Sequence, residues 1–313
     1  MRKFANGLQR LAGATFTGTL SKKTFVLPDV DSGYPVCKKI GKDGDEIESL
    51  PKVKQGSPDV RSAKMKFGLL IPMTHTSMES ELWHIIYANR EVLNGVGIHT
   101  TNVQTPMSAL QTKEDLVNYK KQFLGGLETA AHQALAAEPQ YFIVGMSMEH
   151  IIGEIAEIRK VFDDLETKTD SMGCATWHDA AKCALEKFGA KNIALITPFD
   201  KTGNEFATQV FTELGFNVVS SFGFSCGSAV DIAHVPDEKK ERVILEYLLM
   251  GDSQPDAIVQ CGTNFSLINV AQKLEGQIGI PILGINATTF WYALREVGID
   301  APLREGSRLL REF

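Results

Sequence analysis

Apolar runs alternating with helical stretches predict an α/β protein of two pseudo-symmetric parallel-sheet halves, Rossmann-like or flavodoxin-like, with its site in the cleft between them. Three observations carry this reading. From Lys66 onward, short runs such as Phe67-Gly-Leu-Leu-Ile71 stop at a proline or glycine, as buried parallel strands do. Between them lie stretches whose apolar residues fall three and four positions apart, the helical period. The pattern also repeats. Phe67-Gly-Leu-Leu-Ile-Pro72 matches Ile193-Ala-Leu-Ile-Thr-Pro198, Gly97-Ile98 matches Gly215-Phe216, and Val144-Gly-Met-Ser147 matches Gln260-Cys-Gly-Thr263. The order is the same and the offsets are 126, 118 and 116 residues.

Residues 1–64 stand apart as an N-terminal extension rich in Gly, Pro, Lys and Asp, with weak periodicity and a short strand near Thr24–Leu27. They read as an arm that packs on the core or on a neighbouring subunit, or equally as a loosely ordered tail. The first α/β half, 65–175, opens with the strand Phe67–Ile71. A helix over Glu79–Leu93 follows, carrying Leu82, Ile85, Ile86 and Leu93. Next come a strand at Ile98–Val103, a long helix over Glu114–Ala137, a buried strand at Tyr141–Val144 and a helix over Ile151–Leu165. The second half, 176–300, begins with a helix over Trp177–Phe188, which Gly189 stops. Strands at Asn192–Thr197, Phe216–Ser221, Ala257–Val259 and Pro281–Ile285 then alternate with helices over Asn204–Leu214, Lys239–Met250, Asn264–Glu275 and Ala287–Val297. Residues 301–313 read as a tail.

Composition excludes several classes. A chain of 313 residues with 43% hydrophobic and 22% charged residues is typical of globular proteins. Net charge is −6 and no long basic run occurs, so nucleic acid is not an expected partner. No apolar run reaches the roughly 18 residues of a membrane span. The basic start Met1-Arg-Lys-Phe-Ala leads into no long apolar segment, so no secretory signal is expected. The five cysteines, none in a Cys-x-x-Cys pair, fit reduced thiols in a cytoplasm. Histidines show no metal-site spacing, and the glycine-rich nucleotide motifs and Gly-x-Ser-x-Gly are absent. No metal site and no nucleotide cofactor is therefore expected.

The stretch Asp256-Ala-Ile-Val-Gln-Cys-Gly-Thr-Asn264 is the strongest site candidate. Ligands bind at the carboxyl ends of strands in open α/β sheets. Cys261 stands at such an end, at the rim of the cleft and beside backbone N–H groups expected to open a helix, a field that favours a thiolate. A buried structural cysteine is the alternative. Symmetry adds three more loops: Thr74 to Ser77, Gly145 to Ser147 and Phe199 to Thr202. Thr74, Thr76, Ser147, Thr263 and turn N–H groups offer neutral donors suited to a carboxylate or an enolate. The hydroxyls could equally be helix caps. Lys201 is the sole cation in these loops, and His75 the best-placed histidine, with a backbone-bonded loop imidazole as its plainer reading.

Pro72-Met-Thr-His-Thr-Ser-Met-Glu79, Gly145-Met-Ser147, Ala194-Leu-Ile-Thr-Pro-Phe199, Gln260-Cys-Gly262 and Gly279-Ile-Pro-Ile282 with Phe290-Trp-Tyr-Ala-Leu294 together resemble the aspartate/glutamate racemase superfamily. Within it they are most similar to the arylmalonate decarboxylase and maleate cis-trans isomerase branch, over residues 66–298. The resemblance implies chemistry without metal or organic cofactor on a small carboxylate, and oligomeric state varies across the family. Its racemases and maleate isomerase use one cysteine from each half. Here the second-half cysteine is Cys261 and the first-half position is Gly145, a pattern similar to arylmalonate decarboxylase, whose lone thiol reprotonates an enediolate. Carried over, Cys261 is the proton donor, and the neighbours of Gly145 together with Gly262 form the oxyanion site, with Ser147 matching a family hydroxyl. Met146 replaces a threonine, Phe199 replaces a tyrosine, and His75 stands where the isomerases have a carboxylate-binding asparagine. Loss of one such donor typically costs about 2.7–4 kcal/mol. The resemblance therefore points to a decarboxylase-like lyase on a malonate-type acid. The alternatives are a racemase or isomerase in which His75 or another side chain supplies a second acid or base, and a catalytically degenerate small-acid binding protein.

Overall fold

The computed structural model describes residues 59–105, 113–146, 155–169, 173–251 and 254–313. The expected strand near Thr24–Leu27 and the site candidate Ser147 lie outside them. Residues Pro58–Phe313 form one compact unit.

Two four-stranded parallel sheets make up this unit. The first contains β1 (Met65–Pro72), β2 (Val96–Val103), β3 (Tyr141–Val144) and β4 (Cys174–Ala175), in the order β2-β1-β3-β4. The second contains β5 (Asn192–Thr197), β6 (Asn217–Gly223), β7 (Ala257–Gln260) and β8 (Ile282–Gly284), in the order β6-β5-β7-β8. The orders are the same, so the internal repeat is a repeat of topology. Its register is explicit. Leu70 pairs with Val144 and Ile196 pairs with Gln260. One residue further on, Gly145 N–H donates to Leu70 O at 2.8 Å and Cys261 N–H donates to Ile196 O at 3.1 Å. Gly145 and Cys261 are thus equivalent positions of the two halves.

The connections are α1 (Ser77–Ala88), α2 (Lys113–Ala134), α3 (Ile155–Thr169), α4 (Trp177–Lys187), α5 (Lys201–Glu213), α6 (Asp237–Val243), α7 (Ile268–Ile278) and α8 (Ile285–Glu296), with α9 (Arg308–Glu312) closing the chain. Strand β4 has only two residues, too short to stand out as an apolar run. Residues 308–312 were expected as tail and form a helix, because Leu309 and Leu310 are buried. The helix expected from Asn264 begins at Ile268 instead. Cys261 therefore does not sit at a helix N-terminus, and the expected helix field on its sulfur is absent. Among the described residues no helix is long and apolar enough to cross a membrane.

The halves share a core. One buried cluster runs from Phe67, Leu69 and Phe142 of the first sheet to Leu283, Phe290 and Trp291 of the second half. Phe290 on α8 meets Phe67 on β1 edge-to-face, with ring centroids 5.9 Å apart. Both α8 and α4 follow the last strand of their sheet, and they pack on each other. Burial of this kind contributes through apolar area removed from water, and here it fuses the two strand-end surfaces into one rigid platform. Truncation of the bridging ring, Phe290→Ala, is expected to lower unfolding free energy by about 3–5 kcal/mol. Urea unfolding should report it, as a shift of one transition common to both halves.

Candidate active site between the strand ends

The turn Cys261–Asn264 after β7 organises the site. Gly262 has φ +90, and a Cβ there would lie 2.6 Å from Pro198 Cγ. Only glycine fits such a backbone against that ring. Side chains then tie back every carbonyl of the turn. Gln260 Nε2 donates to Cys261 O and Gly262 O, both at 2.6 Å. Asn286 Nδ2 donates to Thr263 O at 2.8 Å, and Ser77 Oγ donates to Asn264 O at 2.9 Å. Gln260 is itself held by Ile285 N–H on its Oε1 at 3.1 Å. With the carbonyls drawn away, the N–H side of the turn is the positive side. Among the described residues no protein group accepts from Gly262 N–H.

Thr263 Oγ1 crosses the cleft and donates to Gly145 O at 3.0 Å. Asn264 crosses it as well: its Oδ1 accepts from Thr76 N–H at 3.0 Å and Ser77 N–H at 3.3 Å. Helix α1, whose N-cap Thr76 makes no side-chain cap of its own, is therefore capped from the other half. His75 completes that cap, its Nδ1 accepting from Met78 N–H at 3.3 Å. The first N–H groups of α1 are thus engaged within the protein. Asp200 does for α5 what His75 does for α1, accepting from Gly203 N–H at 2.9 Å.

The expected site residues are placed as follows. Cys261 is only 1% exposed, inside the shared core rather than at the rim. Gly262 and Thr263 are buried with it, and Gly145 and Met146 are buried opposite. Phe199 and His75 are buried at 9% and 8% exposure, Thr74 is half-buried and Thr76 exposed. The structure joins Thr74 and Thr76 to the turn through Asn264, His75 through the backbone of Thr263, and Gly145 through the Thr263 hydroxyl. Lys201 points to solvent, 91% exposed beside Glu205, and takes no part. Burial pushes His75 down to about 4, so its ring is neutral at pH 7. Because Nδ1 accepts, the ring proton is on Nε2. No group of three or more His, Cys, Asp or Glu among the described residues could hold a metal ion.

Gly145 and Cys261 differ for a packing reason. A Cβ on Gly145 would lie 2.5 Å from Met78 Sδ and 2.7 Å from Ile71 Cγ2. A thioether occupies the space that a first-half thiol would need. Sequence reasoning passed over Asn286 and Glu81, and placed Met78, Gln260 and Asn264 within its site stretches without giving them these roles. The signal for Glu81 was present: it shares the helical face of Met78, Leu82 and Ile85, an apolar stripe where a carboxyl is out of place.

The sequence pattern of the family described as arylmalonate decarboxylase matches residues 126–310. Solved structures share the fold. A Nocardia farcinica maleate cis-trans isomerase bound to TRIS is 18% identical, covering 79% of this chain and 98% of that one, with a TM-score of 0.67. The maleate isomerase Iso from Pseudomonas putida S16 is 19% identical, covering 79% and 98%, with a TM-score of 0.68. Unliganded arylmalonate decarboxylase is 13% identical, covering 80% and 100%, with a TM-score of 0.62. No curated protein matches the chain.

Two outcomes are expected. Gly262→Ala and Gly145→Ala should each lower unfolding free energy by about 1–3 kcal/mol through overpacking, the former with added backbone strain, as read from urea midpoints. His75 contributes stability that is fully present above its ordinary value of 6.5 and lost as pH falls toward about 4. A His75→Gln variant should therefore lose less stability than the wild type across that window, as measured by urea unfolding at stepped pH.

Proposed function

The chain belongs to the arylmalonate decarboxylase family, and from that premise we propose that it is a cofactor-independent lyase acting on a malonate-type or related small carboxylic acid. Cys261 is the proton donor. One observation carries the reading. Cys261 is unmatched across the pseudo-symmetry axis, because Met78 and Ile71 fill the space beside Gly145. Decarboxylation followed by protonation needs a single acid. Racemisation or cis-trans isomerisation needs a second group on the opposite face, and His75 is poorly suited to supply it: its Nδ1 is engaged by Met78 N–H and its ring is neutral at pH 7.

The steps balance with groups of this chain. The bond to the departing carboxyl breaks, carbon dioxide leaves, and the electron pair delocalises onto the retained carboxylate as an enediolate. N–H groups on the positive side of the 261–264 turn, Gly262 foremost, stabilise that oxyanion. Thr74, Thr76 and Ser147 are further substrate contacts. The proton of Cys261 Sγ passes to carbon, and solvent returns a proton to the thiolate. Met146 and Phe199 present apolar surface, which favours conversion of a carboxylate into neutral carbon dioxide. Since Cys261 is 1% exposed, substrate reaches it when the loops latched by Asn264 part.

A second reading rests on those same apolar residues. If Met146 and Phe199 leave too few donors, the protein is a small-acid binder without turnover. Carbon dioxide release from a panel of malonate-type acids separates the two. Under the proposal, wild type releases carbon dioxide from at least one acid, and Cys261→Ala and Cys261→Ser lose that activity while retaining the urea midpoint. Thermal stabilisation by an acid with no release, unchanged in Cys261→Ala, would establish the binder instead.

A further inference from the structure

Glu81, on α1, is 4% exposed, and neither of its carboxyl oxygens has a hydrogen bond of accepted length and angle. It lies against the side chains of Ser266 and Asn286 and the backbone of Leu267. Asn286 is fully buried on the opposite half. Its Nδ2 holds Thr263 O, and its Oδ1 is a buried acceptor that also lacks a donor. Neighbouring side chains whose buried acceptors lack a hydrogen bond are costly, since each buried polar group without a partner loses its hydration for nothing. A single proton cures both. Lys240 is the nearby cation, but its Nζ is committed to Asp237 Oδ1 at 2.9 Å and Ser266 O at 2.6 Å. His75, just ahead of α1, is neutral and accepts from Met78 N–H, and His84, one turn on along α1, is exposed and paired with Glu305.

We propose that Glu81 keeps its proton in the folded protein and donates it to Asn286 Oδ1, which makes Glu81 a positioning residue for the Cys261–Asn264 turn. The chain of contacts runs from Glu81 to Asn286, from Asn286 to Thr263 O, and from Thr263 Oγ1 to Gly145 O. Fixing the amide of Asn286 fixes the carbonyl of Thr263 and hence the direction of the turn's N–H groups. Ionisation of Glu81 removes the donor and leaves the buried acceptors of both side chains unsatisfied. Burial pushes its carboxyl up to about 7, against an ordinary value of 4.5. The sign follows from linkage: the contribution of Glu81 to stability is full below 4.5 and is lost as pH rises to about 7. His75 and His178 have the opposite sign, their contributions being lost as pH falls from 6.5 toward about 4. The difference between wild type and a Glu81 variant isolates the carboxyl.

The inference bears on the turn proposed to carry the lyase chemistry, and its test does not require turnover. In the full chain at roughly pH 6, below the value of about 7, the infrared C=O stretch of a protonated carboxyl should be present in wild type and absent in Glu81→Gln. The amide of Glu81→Gln can still donate to Asn286 Oδ1. That variant should keep the wild-type rate of Cys261 alkylation by iodoacetamide, followed on the Cys261 peptide. Glu81→Leu cannot donate, and alkylation should rise by about tenfold, the response to about 1.4 kcal/mol lost from the closed state. The stability difference between wild type and Glu81→Gln should fall between pH 4.5 and 7 and be flat above. Absence of the protonated band, or a pH-independent stability difference, overturns the proposal, and both readouts stand even if Glu81→Leu fails to fold. Equal alkylation of Glu81→Gln and Glu81→Leu overturns the positioning role. Failure to release carbon dioxide with the Glu81 signatures intact would count against the lyase reading alone.

Discussion

The tying-back of the turn after β7 is the constraint on which the site depends. Backbone N–H and C=O groups of a loop point in opposite directions, so a loop can present donors to a ligand only if its carbonyls are satisfied elsewhere. Here Gln260, Asn286 and Ser77 take those carbonyls, and each comes from a different element. Gly262 permits the backbone path, and Pro198 forbids anything larger. An oxyanion site needs donors already oriented before charge appears, because reorganising them during the reaction would raise the barrier. Side-chain bracing of this kind supplies that orientation.

The two halves repeat a topology but divide the work unequally. Each sheet brings its third strand to the same register and ends it at an equivalent residue, glycine in one half and cysteine in the other. Around Gly145 the space is closed by Met78 and Ile71, side chains from α1 and β1. The N-terminus of α1, which an open half would offer to an anion, is occupied by Asn264 and His75. In this structure the first half thus serves as wall and support, and the braced turn belongs to the second. Symmetry of fold with asymmetry of chemistry is what a single-acid reaction asks for.

Much of this was legible in the chain. The offsets between Pro72 and Pro198 and between Gly145 and Cys261 gave the repeat, because parallel strands buried on both faces leave continuous apolar runs that can be aligned by eye. Strand β4 was not legible, since two residues carry no period. The start of α7 was misplaced by four residues, because Asn264 looks like an N-cap in sequence and is one, but for α1 across the cleft. Local reading assigns a cap to the helix that follows it, and only the tertiary contact shows otherwise. Cys261 was expected at the rim, with burial as the alternative, and it is buried for a similar reason: a strand end is exposed in one isolated half and is covered when two halves share a core.

That shared core also explains why polar residues can sit so deep. Glu81, Asn286, Gln260 and Thr263 are all nearly or fully buried, and the Thr263 hydroxyl finds its acceptor, Gly145 O, only in the opposite half. Gln260 and Asn286 brace the turn within the second half, while Thr263 and Asn264 bond the first half, so those cross-links exist only when both sheets are assembled. Assembly of the core and assembly of the site are therefore one event. A lone sulfur held by such a network has a fixed relation to the donors beside it, and that fixed relation, rather than any special field on the sulfur itself, is what the fold contributes to the proposed proton transfer.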